Sequence, residues 1–254
     1  MKDVIEKKLS EIEKAENIKI IHCAESGSRA WGFASPDSDY DVRFIYVRPL
    51  EYYLRLDKTR DIIEWQLDDT LDINGWDLQK ALRLLQKSNP TLFEWNNSPV
   101  IYRTTEQWKK VSDIINNYFI KKAGVYHYIS TAKGNYREYL KGEKVRLKKY
   151  FYVLRPILAC KWIMDRQTPP PMLFSKLAEE YLDEDIKPYV DKLLKIKAEA
   201  PEITMGDRID PINLYLEKNM EEISAAAEKM PEEKTGSWQE LNRLFLSIIK
   251  GQCP

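Results

Sequence analysis

The stretch "GSRAWGFASPDSDYDVRFIYV", Gly27 to Val47, decides how this chain is read. It opens on Gly-Ser and passes through the breakers Gly32 and Pro36. It ends in VRFIYV, an apolar run dense in branched and aromatic side chains that reads as a buried strand. Asp39 and Asp41 stand two apart at the front of that run. Side chains alternate across a strand, so the spacing directs both carboxylates to one side. Like charges placed together repel, and partial burial makes the repulsion costlier.

A cation answers that repulsion. Mg²⁺ is hard, prefers oxygen ligands and typically binds through one or two carboxylates plus substrate phosphates. A third carboxylate from a neighbouring strand would complete a site for two Mg²⁺ ions, with Mn²⁺ as the alternative, clamping attacking and leaving oxygens. Upstream, Gly27 lets a backbone approach phosphates closely, and the Ser28 hydroxyl with the amides of a following helical turn suits phosphate oxygens. Taken alone, DSDYD is an ordinary Asx-type turn and Gly-Ser says little. The ordered combination of strand, Gly-Ser, spacer, Ser-Asp-x-Asp and apolar strand is much sharper.

Composition bounds the rest. The 254 residues are long enough to bury a real core, and 43% hydrophobic with 31% charged residues is neither disordered nor membrane-embedded. The N-terminal MKDVIEKKLSEIEKAENIKI is too charged for a secretory signal, and no apolar run reaches spanning length, so a cytoplasmic chain with no membrane contact is expected. Cys23, Cys160 and Cys253 are widely spaced without a CxxC, which argues against disulfides and zinc. Only His22 and His127 are available, which argues against histidine-rich metal binding, and His22 and Cys23 read as structural. The formal net charge is zero, yet Lys133 to Arg155 holds eight basic and two acidic residues, net +6. Such a patch among aromatics fits nucleotide or RNA phosphates, or else a solvated helix face. Acidic EEYLDED (Glu179 to Asp185) and EKMPEEK (Glu228 to Lys234) would suit a protein partner or solvent.

Periodicity predicts a helix over 3–16, a strand over Ile18 to Ala24, a second over Tyr40 to Val47, and a short helix over Glu51 to Leu56. A third strand is expected within Ile62 to Ile73 and a helix from Trp76 to Lys87. After NSPVIYR (Asn97 to Arg103) the strand signals stop. Helices are predicted over Trp108 to Phe119, Ala123 to Leu140, Val145 to Arg166, Ser175 to Leu182, Asp185 to Ala198, Asp210 to Lys229 and Ser237 to Lys250. The expected fold class is α+β, a short mixed sheet flanked by helices over 1–100, followed by an all-α domain over 101–254.

"ESGSRAWGFASPDSDYDVRFIYV", "LDINGWDLQKALRLLQKSNPTLFEW" and "KKYFYVLRPILACKWI" together carry a resemblance over roughly residues 20 to 165. The first motif resembles the signature of the DNA polymerase β-like nucleotidyltransferase superfamily. The longer wording is similar to a narrower group of predicted nucleotidyltransferases, the RNA repair pathway polymerase β family. The resemblance implies a nucleotidyltransferase core followed by a helical domain. It also implies Mg²⁺-dependent transfer of a nucleotidyl group from a nucleoside triphosphate such as ATP, with release of pyrophosphate. The family's Asp-x-Asp falls on Asp39 and Asp41, and its phosphate-gripping pair on Gly27 and Ser28.

The third carboxylate is a choice among Asp68, Asp69, Asp72 and Asp77. Asp72 is expected to end the strand beside Asp41, and the resemblance points there too. Asp77 belongs better to the first turn of the next helix, with Asn74 as its cap. Asp39, Asp41 and Asp72 are therefore the expected catalytic and metal-binding set, with Asp72 as general base. Arg29 either reaches the triphosphate or pairs with Glu25. Lys148, Tyr152 and Arg155 fall at i, i+4 and i+7 of a predicted helix face with Lys149 beside them, holding either triphosphate or RNA, or nothing but water. The tryptophans read as core, with at most one stacking on a base. Three functions are open: adding a nucleotide to RNA, tRNA 3′ ends first; modifying a protein side chain or small molecule; and binding nucleotide or RNA without turnover. The intact Asp-x-Asp opposes the third, and the basic stretch favours the first.

Overall fold

The computed structural model describes residues 1–35, 37–68, 70–199 and 204–251. Pro36, Asp69 and Cys253, and the side chain of Asp68, lie outside the described parts. The chain begins with α1 (Lys2–Glu16), β1 (Lys19–Glu25), α2 (Gly27–Ala30), β2 (Tyr40–Val47), α3 (Leu50–Tyr53), β3 (Ile62–Asp68) and β4 (Leu71–Asp77). There follow α4 (Leu78–Gln86), α5 (Pro90–Asn96), β5 (Ile101–Thr104), α6 (Glu106–Ser112), α7 (Lys121–Tyr139) and β6 (Lys144–Arg146). The remainder is α8 (Phe151–Arg166), α9 (Phe174–Tyr181), α10 (Lys187–Glu199), β7 (Met205–Asp207), α11 (Asp210–Lys229) and α12 (Trp238–Lys250). Ile115–Tyr118 and Leu147–Tyr150 are 3₁₀ turns.

Two compact units form. Met1–Gly27, Asp39–Phe119 and Thr235–Pro254 make the first, and Ser28–Ser38 with Ile120–Lys234 the second. The sequence reading cuts the chain once, near residue 100. In the structure 101–119 and α12 belong with the first unit, because Trp108, Val111, Leu241 and Ile248 bury against the sheet's own core residues Ile21, Ile45 and Val47.

The first unit is built on a mixed five-stranded sheet in the order β3-β4-β2-β1-β5. The β2–β4 pair is parallel and the other pairs are antiparallel. Alternation sorts β2 cleanly. Val42, Phe44 and Tyr46 pack with Ile5, Leu9 and Ile12 of α1, while Ile45 and Val47 pack with Leu78, Ala81, Leu82 and Leu85 of α4. The same period gives β4 Leu71 and Ile73 on the α1 side and Trp76 on the α4 side. Gly75 sits opposite Phe44, where a Cβ would fall 2.1 Å from the ring.

Several predicted elements are corrected. The expected single strand within 62–73 is a hairpin of two strands, and β4 runs on through Trp76 and Asp77 instead of starting a helix there. Asp77 is itself the N-cap of α4, its carboxylate accepting from the Gln79 amide at 2.7 Å, so Asn74 is strand and not cap. β5 falls on the NSPVIYR segment with which the strand signals are expected to end, but further strands follow it. β5 lines the sheet edge, and in the second unit Val145 is buried between exposed Lys144 and Arg146, a period of two that pairs β6 with β7. The second unit is thus helical with one short antiparallel ribbon rather than all-α. α5, which the sequence reading leaves uncalled, begins at Pro90 with Asn89 as its cap.

In the second unit α7 and α8 pack together, with α9 and α11 against α8. The segment Ser28–Ser38 lies against it by its aromatics. Trp31 meets Tyr152 edge-on, and Phe33 contacts Phe151 and Phe174 with centroids 4.8 and 5.6 Å away. No helix among the described residues is long and apolar enough to cross a membrane.

Candidate active site

The two faces of the sheet explain how charges come together. Asp41 and Arg43 share a face of β2 with Ile45 and Val47, because all are odd-numbered in one strand. Parallel pairing sets Asp41 directly opposite Asp72, Arg43 opposite Asn74, and Ile45 opposite Trp76. One face is therefore apolar toward the strand ends and charged at the strand starts. Asp72 stands second in β4, after the hairpin turn. It does not end a strand, as expected from sequence, but it does lie beside Asp41.

Arg43 holds the two carboxylates together. Its Nη2 donates to Asp41 Oδ1 at 2.8 Å and to Asp72 Oδ2 at 2.7 Å. Its Nη1 donates to the backbone oxygens of Asp72 and Val42 at 3.1 and 3.2 Å. The Arg43 side chain is 17% exposed, Asp41 31% and Asp72 52%, so the pair opens to water on the β4 side.

Asp41 is fixed from its backbone as well. Its amide donates to Glu25 Oε1 at 2.7 Å, and its carbonyl accepts from the Ser26 amide at 2.8 Å. Glu25 is buried at the end of β1, where the Tyr102 hydroxyl donates to its other oxygen. Burial first, and that hydrogen bond second, raise the Tyr102 hydroxyl pKa, keeping it a proton donor. Next along the chain, Gly27 has φ +59°, and a Cβ there would fall 2.0 Å from Asp41 Oδ2. Glycine is required twice over, for its backbone and for the space it leaves the carboxylate.

The other predicted residues are placed as follows. Asp39 is exposed, just ahead of β2. Among the described residues no group of three or more His, Cys, Asp or Glu is gathered to hold a metal ion, so Asp39, Asp41 and Asp72 do not form such a cluster as they stand. The donor chemistry nevertheless fits a hard divalent cation. Two adjacent carboxylates already require a positive charge between them, and a guanidinium supplies it.

Ser28, Arg29, Lys148, Lys149 and Arg155 all belong to the second unit. Ser28 is buried, with its carbonyl accepting from the Phe33 amide at 3.2 Å. Arg29 Nη2 donates to the Ser38 carbonyl at 2.6 Å. Lys148 and Lys149 sit in the 3₁₀ turn ahead of α8, so the expected helix face of Lys148, Tyr152 and Arg155 does not exist. Lys149 instead lies over the Tyr139 and Tyr152 rings at 4.1 and 4.5 Å. Arg155 is only 2% exposed, stacks over Trp31 at 4.8 Å and donates through Nε to the Met172 carbonyl at 3.2 Å. Lys133, Arg137, Lys141, Lys144 and Arg146 are exposed. The same unit holds a cavity of about 280 Å³ lined by Trp31, Phe33, Phe174, Leu182 and Val190, with Glu179 and Lys187 also at its wall.

His22 is buried and stacked on Trp108, centroids 4.6 Å apart, and Nε2 lies 3.1 Å from the Trp95 carbonyl. Burial lowers its pKa to about 4, so it is a neutral core histidine at pH 7. Cys23 and Cys160 are buried free thiols.

Sequence reasoning missed Arg43 and Glu25. The signal for Arg43 was present, since it lies two on from Asp41 and the period that pairs Asp39 with Asp41 continues to it. Glu25 carries no local signal, because its role depends on β1 lying beside β2.

The pattern of the RNA repair pathway DNA polymerase beta family matches residues 1–247. "Uncharacterized protein YcgL" of Bacillus subtilis (strain 168) is 46% identical over 255 residues, covering 98% of this chain and 97% of the relative. A solved nucleotidyltransferase-like protein from Exiguobacterium sibiricum 255-15 is 11% identical, covering 100% of this chain and 81% of that one, with a TM-score of 0.31 that is too low to bear on the argument. With the family's pattern matched from Met1 past the middle of α12, the chain belongs to the RNA repair pathway DNA polymerase beta family.

Proposed function

We propose that this chain transfers a nucleotidyl group from a nucleoside triphosphate to a hydroxyl acceptor, with RNA 3′ ends, tRNA among them, as the acceptor. The carrying observation is the Asp41–Asp72 pair, set in register on adjacent parallel strands, with Gly27 shaped to the Asp41 carboxylate. The acceptor oxygen forms a bond to the α-phosphorus, the bond from that phosphorus to the bridging oxygen breaks, and pyrophosphate leaves. Two Mg²⁺ ions, or Mn²⁺, bound by Asp39, Asp41 and Asp72, would supply the positive charge that this in-line transfer needs and would lower the pKa of the attacking hydroxyl.

The chain's own residues supply the rest. Asp41 is held through its backbone by Glu25 and Ser26, so the strand position from which its carboxylate projects does not depend on the substrate. Asp72, half-exposed, accepts the acceptor's proton at a carboxylate oxygen. Ser28, Arg29, Lys148 and Lys149, the triphosphate contacts expected from sequence, belong to the second unit, and this reading rests on the first unit's carboxylates without them. Arg155 serves by seating Trp31 and the Met172 segment. The exposed cations Lys133, Arg137, Lys141, Lys144 and Arg146 favour an RNA acceptor, whose binding would fall steeply with salt.

The test offers α-labelled triphosphates and Mg²⁺ with total tRNA and a protein lysate as competing acceptors. An Asp39→Ala, Asp41→Ala double variant is the control. Label on RNA that disappears in the control supports the reading. Label on protein replaces the acceptor, and no label anywhere, with triphosphate still bound, refutes transfer. Full turnover by Asp72→Asn would remove Asp72 as the base.

A further inference from the structure

We propose that Arg43 is the resident counter-cation of the Asp41–Asp72 pair and competes with the divalent metal for it, so that metal binding is an exchange of guanidinium for ion. The inference rests on the metal-dependent reading above. One nitrogen, Nη2, lies within hydrogen-bond distance of an oxygen from each carboxylate, at 2.8 and 2.7 Å, which is where a bridging cation would act. The second nitrogen keeps the fork aimed by its bonds to the backbone oxygens of Val42 and Asp72. β2 fixes the arginine backbone two residues from Asp41, so the charge cannot diffuse away from the pair.

The exchange has a direction that a purely structural arginine lacks. A metal that must break two ion pairs binds more weakly than one meeting bare carboxylates. Removing the guanidinium should therefore tighten metal binding, while taking from both carboxylates of the metal-free protein the ion pairs it makes with them.

The full-length, metal-free chain is titrated with Mn²⁺ by electron paramagnetic resonance, and its thermal unfolding is followed with and without Mn²⁺. Arg43→Gln should bind Mn²⁺ about tenfold more tightly, because two partly exposed ion pairs no longer oppose the ion. Arg43→Lys should fall between, since one ammonium lacks the fork. Metal-free R43Q should unfold at lower temperature than the parent and gain more from saturating Mn²⁺. If R43Q binds Mn²⁺ equally or more weakly while Asp41→Asn abolishes binding, the exchange is overturned and the metal reading stands. If neither the parent nor R43Q binds Mn²⁺, both fall. Should R43Q fail to fold, R43K decides by the same direction of change.

Discussion

Gly27→Ala tests the site's packing without touching a carboxylate. The new Cβ would lie 2.0 Å from Asp41 Oδ2 and 2.9 Å from its Cγ, distances that real Cβ contacts do not show. The backbone adds its own cost, since φ +59° is left-handed and opposes a side chain by about 1–2 kcal/mol. To admit the methyl, Asp41 must turn away and release Arg43, losing a partly exposed ion pair of about 0.5–1 kcal/mol. The sum is about 1.5–3 kcal/mol, which at this size lowers Tm by roughly 3–12 °C. The discriminating assay is a double-mutant cycle by urea unfolding. In an Asp41→Ala background the obstructing carboxylate is gone and only the backbone cost should persist, so G27A costs about 1–2 kcal/mol there. Equal costs in both backgrounds would show that Gly27 does not serve the Asp41 carboxylate, and the close packing argued for this site would be wrong.

Three further perturbations test other parts of the first unit. Burial, opposed by hydrogen bonds from the Gln79 amide and the Tyr53 hydroxyl, raises Asp77 from 3.8 to about 6. The folded chain therefore holds this proton more tightly than the unfolded one. Its contribution of about 3 kcal/mol is fully present below pH 3.8 and lost as pH rises through about 6. Asp77→Asn keeps the helix cap and should flatten that slope in pH-dependent urea unfolding. His22 has the opposite sign: with its value lowered from 6.5 to about 4, its contribution of about 3 kcal/mol is present above pH 6.5 and lost as pH falls through about 4. His22→Phe should keep the stack on Trp108 and remove that acid sensitivity, at about 1–2 kcal/mol for the unpartnered Trp95 carbonyl. Gly75→Ala drives a methyl 2.1 Å from the Phe44 ring and should destabilise by about 1–3 kcal/mol in the same assay.

Much of the sheet was legible because β2 declares itself. Its odd and even positions separate into two faces, Asp41 stands second in it with Asp39 just ahead, and Tyr40–Val47 matches the sequence reading end to end. The hairpin of β3 and β4 was harder, because Leu71 to Asp77 alternates buried and exposed residues yet carries Gly75 and two aspartates that depress strand propensity. There tertiary pairing with β2 outweighs local preference. β6 was hidden in another way. Three residues are too few for their period of two to stand out in the sequence, and the strand exists only because β7, distant in sequence, pairs with it. The same limit applies to the site. Asp39, Asp41 and Gly27 announce themselves by spacing, whereas Glu25 and the bridging contact of Arg43 to Asp72 depend on which strands become neighbours.

The place where the charges sit follows from helix and strand dimensions. α4 starts immediately after β4 and turns back over the same face, covering Ile45 and Val47. Its nine residues reach about 13 Å, while the seven residues of β4 extend about 23 Å, so the helix cannot roof the strand to its beginning. Exposure along that face follows the shortfall. Trp76 and Asn74 are partly buried, and Asp72 is open. An uncovered strand start in mid-sheet is one of the few positions where carboxylates can sit on a core strand without full desolvation. Lengthening the cover would bury Asp72 and raise the cost of its charge. The short helix is thus as much a part of the site as the aspartates it leaves exposed.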